Sequence, residues 1–115
     1  MLLTGSHALV TGASGGIGGA IALRLAAAGA RVSLAGRREA ALLALSGRLG
    51  DKQGASQAFD VTDENAVGEA IASIRAAAGP IDILVNNAGT SRSAPFARTD
   101  AALWSDMLAV NLTGS

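Results

Sequence analysis

Thr11-Gly12-Ala13-Ser14-Gly15-Gly16-Ile17-Gly18 is the stretch on which the fold turns. It follows the short apolar run Ala8-Leu9-Val10, and from Gly16 to Ala28 the residues Ile17, Ile21, Leu25 and Ala28 recur at helical spacing. A strand that turns through glycines into a helix suits a dinucleotide. One glycine permits the tight turn, one lets the backbone approach a pyrophosphate, and the last lets the helix lie close on the sheet. The helix start then offers free N–H groups and the positive end of its dipole to phosphate. The spacing is Gly-x-x-x-Gly-x-Gly rather than Gly-x-Gly-x-x-Gly, and the absence of a following Lys-Ser or Lys-Thr pair excludes a P-loop. Turn glycines alone carry little weight in a chain with 15 Gly. The strand before them and the helix after them point to Gly12, Ser14, Gly16, Ile17 and Gly18 as a nucleotide loop.

Outward from this loop the chain keeps alternating. Gly29 closes the first helix, and Arg31 to Ala35 reads as a second strand. Glu39 to Leu49 reads as a helix with Leu42, Leu45 and Leu49 on its stripe, and Gln57 to Phe59 as a third strand. Asp63 to Ala78, with Val67, Ile71 and Ile74, forms a third helix stopped by Gly79-Pro80. Ile81 to Val85 is the fourth strand, followed by Asn86 to Gly89, a loop around Pro95, and a fourth helix capped by Thr99-Asp100 and running to Ser115. Strands separated by helices demand a parallel sheet with right-handed crossovers. The expected class is α/β, a doubly wound Rossmann sheet ordered 3-2-1-4, with residues 1–115 as one domain. Ile81 to Val85 is apolar on both faces, and this reading leaves no strand for its outer edge, so the domain is expected to be unfinished after the fourth helix.

Composition narrows the function. Nine Lys and Arg balance nine Asp and Glu, which argues against a nucleic-acid partner. With no Cys and one His there is no disulfide framework, no thiolate nucleophile and no expected metal site. The start Met1-Leu2-Leu3-Thr4 lacks a basic n-region, and no apolar stretch suggests a membrane span, so the expected location is the cytoplasm. His7 opens the first strand, far from the ligand end, and is expected to play a surface or structural part.

The cofactor is chosen at the end of the second strand, where a carboxylate would bond the ribose hydroxyls of NAD. Here the chain reads Leu34-Ala35-Gly36-Arg37-Arg38, with no acid before Glu39. Paired guanidiniums suit a 2′-phosphate by charge and forked hydrogen bonding. NADP is therefore expected over NAD, against the plain alternative of two solvated arginines opening a surface helix.

Together with Asp60-Val61, Asn86-Asn87-Ala88-Gly89 and Val110-Asn111-Leu112-Thr113-Gly114, the glycine loop resembles the short-chain dehydrogenase/reductase family along the whole sequence. The resemblance implies that Asp60 and Val61 contact the adenine, that Asn87, Ala88 and Gly89 line the cofactor cleft, and that Asn111 is the helix-borne catalytic asparagine serving a water-linked proton path. Read without it, Asp60 caps a helix, 86–89 is a turn and Asn111 is an ordinary satisfied polar residue. The family's catalytic Tyr and Lys have no match: the chain has no Tyr, and its single Lys, Lys52, falls in a polar loop. Nor is the family's catalytic Ser expected within these residues. Since family members are about twice this length, the sequence is expected to be the cofactor half of an enzyme, inactive alone. If 115 residues were the whole product, a non-catalytic nucleotide-binding module would be the alternative. The resemblance further implies a small carbonyl or alcohol substrate and a homo-oligomer, with the Trp104 helix as core or subunit contact. The tail from Phe96 through Leu103-Trp104 to Gly114 is similar to members acting on 3-oxoacyl or 3-hydroxyacyl thioesters.

Overall fold

Leu9 and Val10 are adjacent, so in an extended strand they point to opposite sides, and both are fully buried. Only a central strand covered on both faces satisfies that pattern. The computed structural model describes residues 3–12, 16–59, 64–86 and 108–111, the last four and residues 64 and 86 by backbone alone. It places β1 (His7–Thr11) in the middle of a parallel sheet ordered β3-β2-β1-β4-β5. The elements are α1 (Gly16–Ala27), β2 (Arg31–Gly36), α2 (Glu39–Leu49), a 3₁₀ turn (Gly50–Lys52), β3 (Gln53–Ala58), α3 (Glu64–Ala78), β4 (Ile83–Asn86) and β5 (Leu108–Asn111).

Two apolar layers hold the sheet. Val10, Val32, Leu34 and Val85 meet Ala22 of α1 and Leu42, Leu45 and Leu49 of α2 on one face. Leu9, Ala35 and Leu84 meet Val67, Ile71 and Ile74 of α3 on the other. The exit from α1 shows how local sequence fixes the path. Gly29 N–H donates to Ala26 O at 2.9 Å and Ala30 N–H to Leu25 O at 3.1 Å, a Schellman arrangement that turns on Gly29 at φ +104°. A Cβ at Gly29 would lie 2.7 Å from Thr4 Oγ1, so both the backbone and the space require glycine.

The structure corrects three expectations. First, β3 begins at Gln53, not Gln57: its early residues are polar because it is an edge strand, half-exposed on its faces, which do not need an apolar run. Second, residues 108–111 are strand, not part of a fourth helix. Third, this strand pairs with β4 in the register Ile83↔Leu108 to Asn86↔Asn111, so β4's outer edge is covered. The unpaired N–H and C=O groups along β4 supply the reason for both, since a parallel neighbour satisfies them. The expected start of the helix at Thr99, the loop before it and Trp104 lie outside the described residues.

His7 is structural and buried, 5% exposed, so the surface alternative does not hold. Its backbone N–H donates to Asp82 Oδ2 at 2.9 Å, and its ring lies between Ser33 and the carbonyls of Gly79 and Pro80.

Candidate functional site

The parallel register brings the carboxyl ends of the strands to one edge. Thr11 stands opposite Ala35 on one side and Asn86 on the other, and Asn86 stands opposite Asn111. In open α/β sheets ligands bind outside this edge, where crossovers diverge to opposite faces. Here α1 leaves β1 to one face and the connection through α3 returns to β4 from the other, so the switch falls between β1 and β4.

Thr11 anchors this point: its fully buried Oγ1–H reaches Val85 O at 3.4 Å, tying the end of β1 to β4. Gly12 then turns at φ +68°, a left-handed conformation that costs a side-chain-bearing residue about 1–2 kcal/mol. From there α1 begins at Gly16 with no acidic residue in its first turn, so the positive end of its dipole is not neutralised by its own side chains. Gly18 is buried, as close packing of helix on sheet requires, whereas Gly16 is exposed with nothing within 4 Å of a Cβ built there. Ile17 is 57% exposed at the start of a helix whose later apolar residues pack inward. An apolar side chain left open beside a ligand edge gives a flat ring a surface to rest on.

At the end of β2 the buried Gly36 gives way to exposed Arg37 and Arg38, and Gly36 O accepts Phe59 N–H at 2.9 Å. Arg38 is extended (φ −104°, ψ 101°) and directly precedes α2 without a side-chain cap. Both residues thus follow the carboxyl end of β2, on the same sheet edge as the glycine turn. The structure therefore brings together Gly12, Gly16, Ile17, Gly18, Arg37 and Arg38. It also places Asn111 on that edge, at the end of β5 and not on a helix as expected. Strand pairing with β4 explains the difference. Ser14, Asp60, Val61, Asn87, Ala88 and Gly89 lie outside the described residues. Thr11 is the residue that sequence reasoning passed over as a ligand-edge anchor. Its signal was a hydroxyl ending an otherwise apolar strand.

A concavity of about 470 Å³ opens at the opposite, amino-terminal end among Gly5, His7, Arg31, Lys52, Pro80 and Asp82. Its charges are mixed and it lies a strand's length, roughly 13 Å, from the glycine turn. Lys52 is therefore at the wrong end of the sheet to serve chemistry at the carboxyl edge. Among the described residues no cluster of His, Asp and Glu could hold a metal ion, and no helix is long and apolar enough to cross a membrane.

Comparison with known proteins places the chain in a family. The sequence model of the family described as short chain dehydrogenase matches residues 6–115. Gluconate 5-dehydrogenase of Gluconobacter oxydans (strain 621H) is 47% identical over 112 residues, 96% of this chain and 44% of that protein. The structure of L-sorbose reductase from Gluconobacter frateurii complexed with NADPH and L-sorbose superposes with a TM-score of 0.71 at 39% identity, covering 78% of this chain and 35% of that one. The 3-ketoacyl-(acyl-carrier-protein) reductase of Brucella melitensis complexed with NADH gives a TM-score of 0.71 at 39% identity, covering 76% and 35%. The chain spans less than half the length of the curated relatives it matches.

Proposed function

Because this chain belongs to the short-chain dehydrogenase/reductase family, we propose that its 115 residues form the dinucleotide-binding part of an NADP-dependent oxidoreductase acting on a carbonyl or alcohol carbon. The observation that carries the reading is the shared edge: the Gly12 turn, the open start of α1 and the Arg37-Arg38 pair all face the carboxyl end of the sheet. Gly12, Ser14 and Gly16 cradle the pyrophosphate through backbone N–H groups, while the buried Gly18 lets α1 lie close on the sheet beneath them. Ile17 supports a ring face, and Arg37 and Arg38 take the 2′-phosphate. Asp60 and Val61 border the adenine, and Asn87, Ala88 and Gly89 line the cleft beyond β4. When bound, NADPH would supply a hydride to a carbonyl carbon, or NADP would accept one from an alcohol carbon. Asn111, at the end of β5, orders the water-linked proton path.

The acid that serves the carbonyl oxygen is not among these residues, which include no Tyr and carry Lys52 at the opposite end. They bind nucleotide without turning substrate over. Relatives and structural neighbours named for gluconate, sorbose and 3-ketoacyl thioesters make polyols, sugar acids and 3-oxoacyl thioesters the first substrates to test. A cytoplasmic homo-oligomer is the expected setting of the whole protein.

The test uses protein expressed from the full gene, with NADPH and a panel of ketoses, keto-acids and 3-oxoacyl thioesters. Loss of the dihydronicotinamide absorbance with at least one class is the expected result. Absence of NADPH binding, or binding without oxidation by any class, would contradict the reading.

A further inference from the structure

β3 changes phase along its length. Gln53 and Phe59 lie six positions apart, an even offset, so in an unbroken strand their side chains would point to one face. Instead Gln53 Oε1 accepts a hydrogen bond from Ser46 Oγ of α2 at 2.7 Å, whereas Phe59 packs against the α3 cluster on the other face. The inversion happens at a bulge. Pairing advances from Val32↔Gln53 to Leu34↔Ser56, which leaves Gly54 and Ala55 together against Ser33. Bulges are rare in parallel pairs and concentrate beside functional sites.

Ser33 holds this bulge. Ala55 N–H donates to Ser33 Oγ at 3.0 Å, satisfying an amide that the ladder leaves over. The His7 Nδ1 faces the Gly79 and Pro80 carbonyls, both at 3.1 Å, and carbonyls only accept, so the ring hydrogen sits on Nδ1. Nε2 then accepts the Ser33 hydroxyl at 2.6 Å. A Cβ at position 54 would overlap Ser33 Oγ, so glycine makes the approach possible. Ser33 is fully buried between Val32 and Leu34, where a hydroxyl without such work would only cost desolvation.

We propose that Ser33 is a positioning residue for the adenosine end of the nucleotide site, acting through the Gly54–Ala55 bulge on the way β3 arrives beside Gly36 and Arg37. The inference rests on the nucleotide reading above. Past the bulge the register runs Ala35↔Gln57 and Gly36↔Ala58, and Phe59 N–H closes on Gly36 O, one residue before Arg37. A slip of one residue would turn the side chains of 56–59 over. Phe59 would leave the α3 face for the face where Arg37 and Arg38 lead into α2. The wall beside the 2′-phosphate site would shift, while the β1–β4 side of the sheet, which the bulge does not touch, would not.

The experiment is Ser33→Ala in protein expressed from the full gene, titrated with 2′,5′-ADP as the adenosine-end probe and with nicotinamide mononucleotide as the other. Loss of one hydrogen-bonding hydroxyl predicts about three- to tenfold weaker 2′,5′-ADP binding with nicotinamide mononucleotide unchanged. Should Ser33→Ala prove insoluble, Ser33→Cys, which keeps the volume with a weak donor and acceptor, is read by the same split. Equal weakening of both probes, or no change in either, would overturn the positioning role while leaving the nucleotide reading intact. Wild-type protein that binds neither probe would overturn the nucleotide reading, and this inference with it.

Discussion

Replacing Gly12 by valine is expected to weaken NADP binding by about 2–3 kcal/mol, roughly 30- to 150-fold, in a protein that still folds. Gly12 turns at φ +68°, which a β-branched residue adopts only at a strain of this order. The chain has two ways to relieve it: to keep the turn and store the strain, or to move the loop toward negative φ. The second is cheaper, because Gly12 lies just past the buried end of β1 and is itself only partly buried. Moving the loop would take the backbone N–H groups away from the proposed phosphate position. Isothermal titration with NADP and with NAD should show a similar loss for both, since the pyrophosphate is common to them. Circular dichroism of the variant should remain close to wild type.

Replacing Arg37 and Arg38 together by alanine should separate the two cofactors. Two charge-assisted contacts to a 2′-phosphate are worth about 1–3 kcal/mol, roughly five- to 150-fold, and NAD lacks the group that receives them. The expected result is a large loss of NADP affinity with NAD almost unchanged. Both side chains are exposed, so the wild-type preference for NADP should also shrink as salt rises. Equal wild-type affinity for the two cofactors, independent of salt, would show that the arginines serve α2 and solvent instead.

Much of this site could be read from the sequence where the signal was local. The change from a short apolar run to helical spacing across Thr11–Gly18 marked β1, the turn and α1, and the Leu42, Leu45, Leu49 stripe gave α2 its bounds. Gly29 was legible because a left-handed helix exit has few alternatives to glycine. What failed depended on partners distant in sequence. Gln53 to Ser56 carries no apolar alternation, and its strand identity comes from pairing with β2. Leu108 to Asn111 fits a helical stripe by spacing, yet the open edge of β4 makes it a strand. The His7–Ser33–Ala55 chain joins three strands and the end of α3, and only a folded sheet brings those atoms together. The sequence showed merely a lone His and a Ser in an apolar strand.

Nucleotide is expected at the carboxyl edge of this sheet, not in the concavity at its amino-terminal end. Amide hydrogen exchange of the protein expressed from the full gene, measured with and without saturating NADP, tests it most directly. New protection is expected at residues 12–20 and 36–40, and none at Ser6, Arg31, Lys52 and Asp82. Protection at the latter group, with 12–20 unchanged, would contradict it.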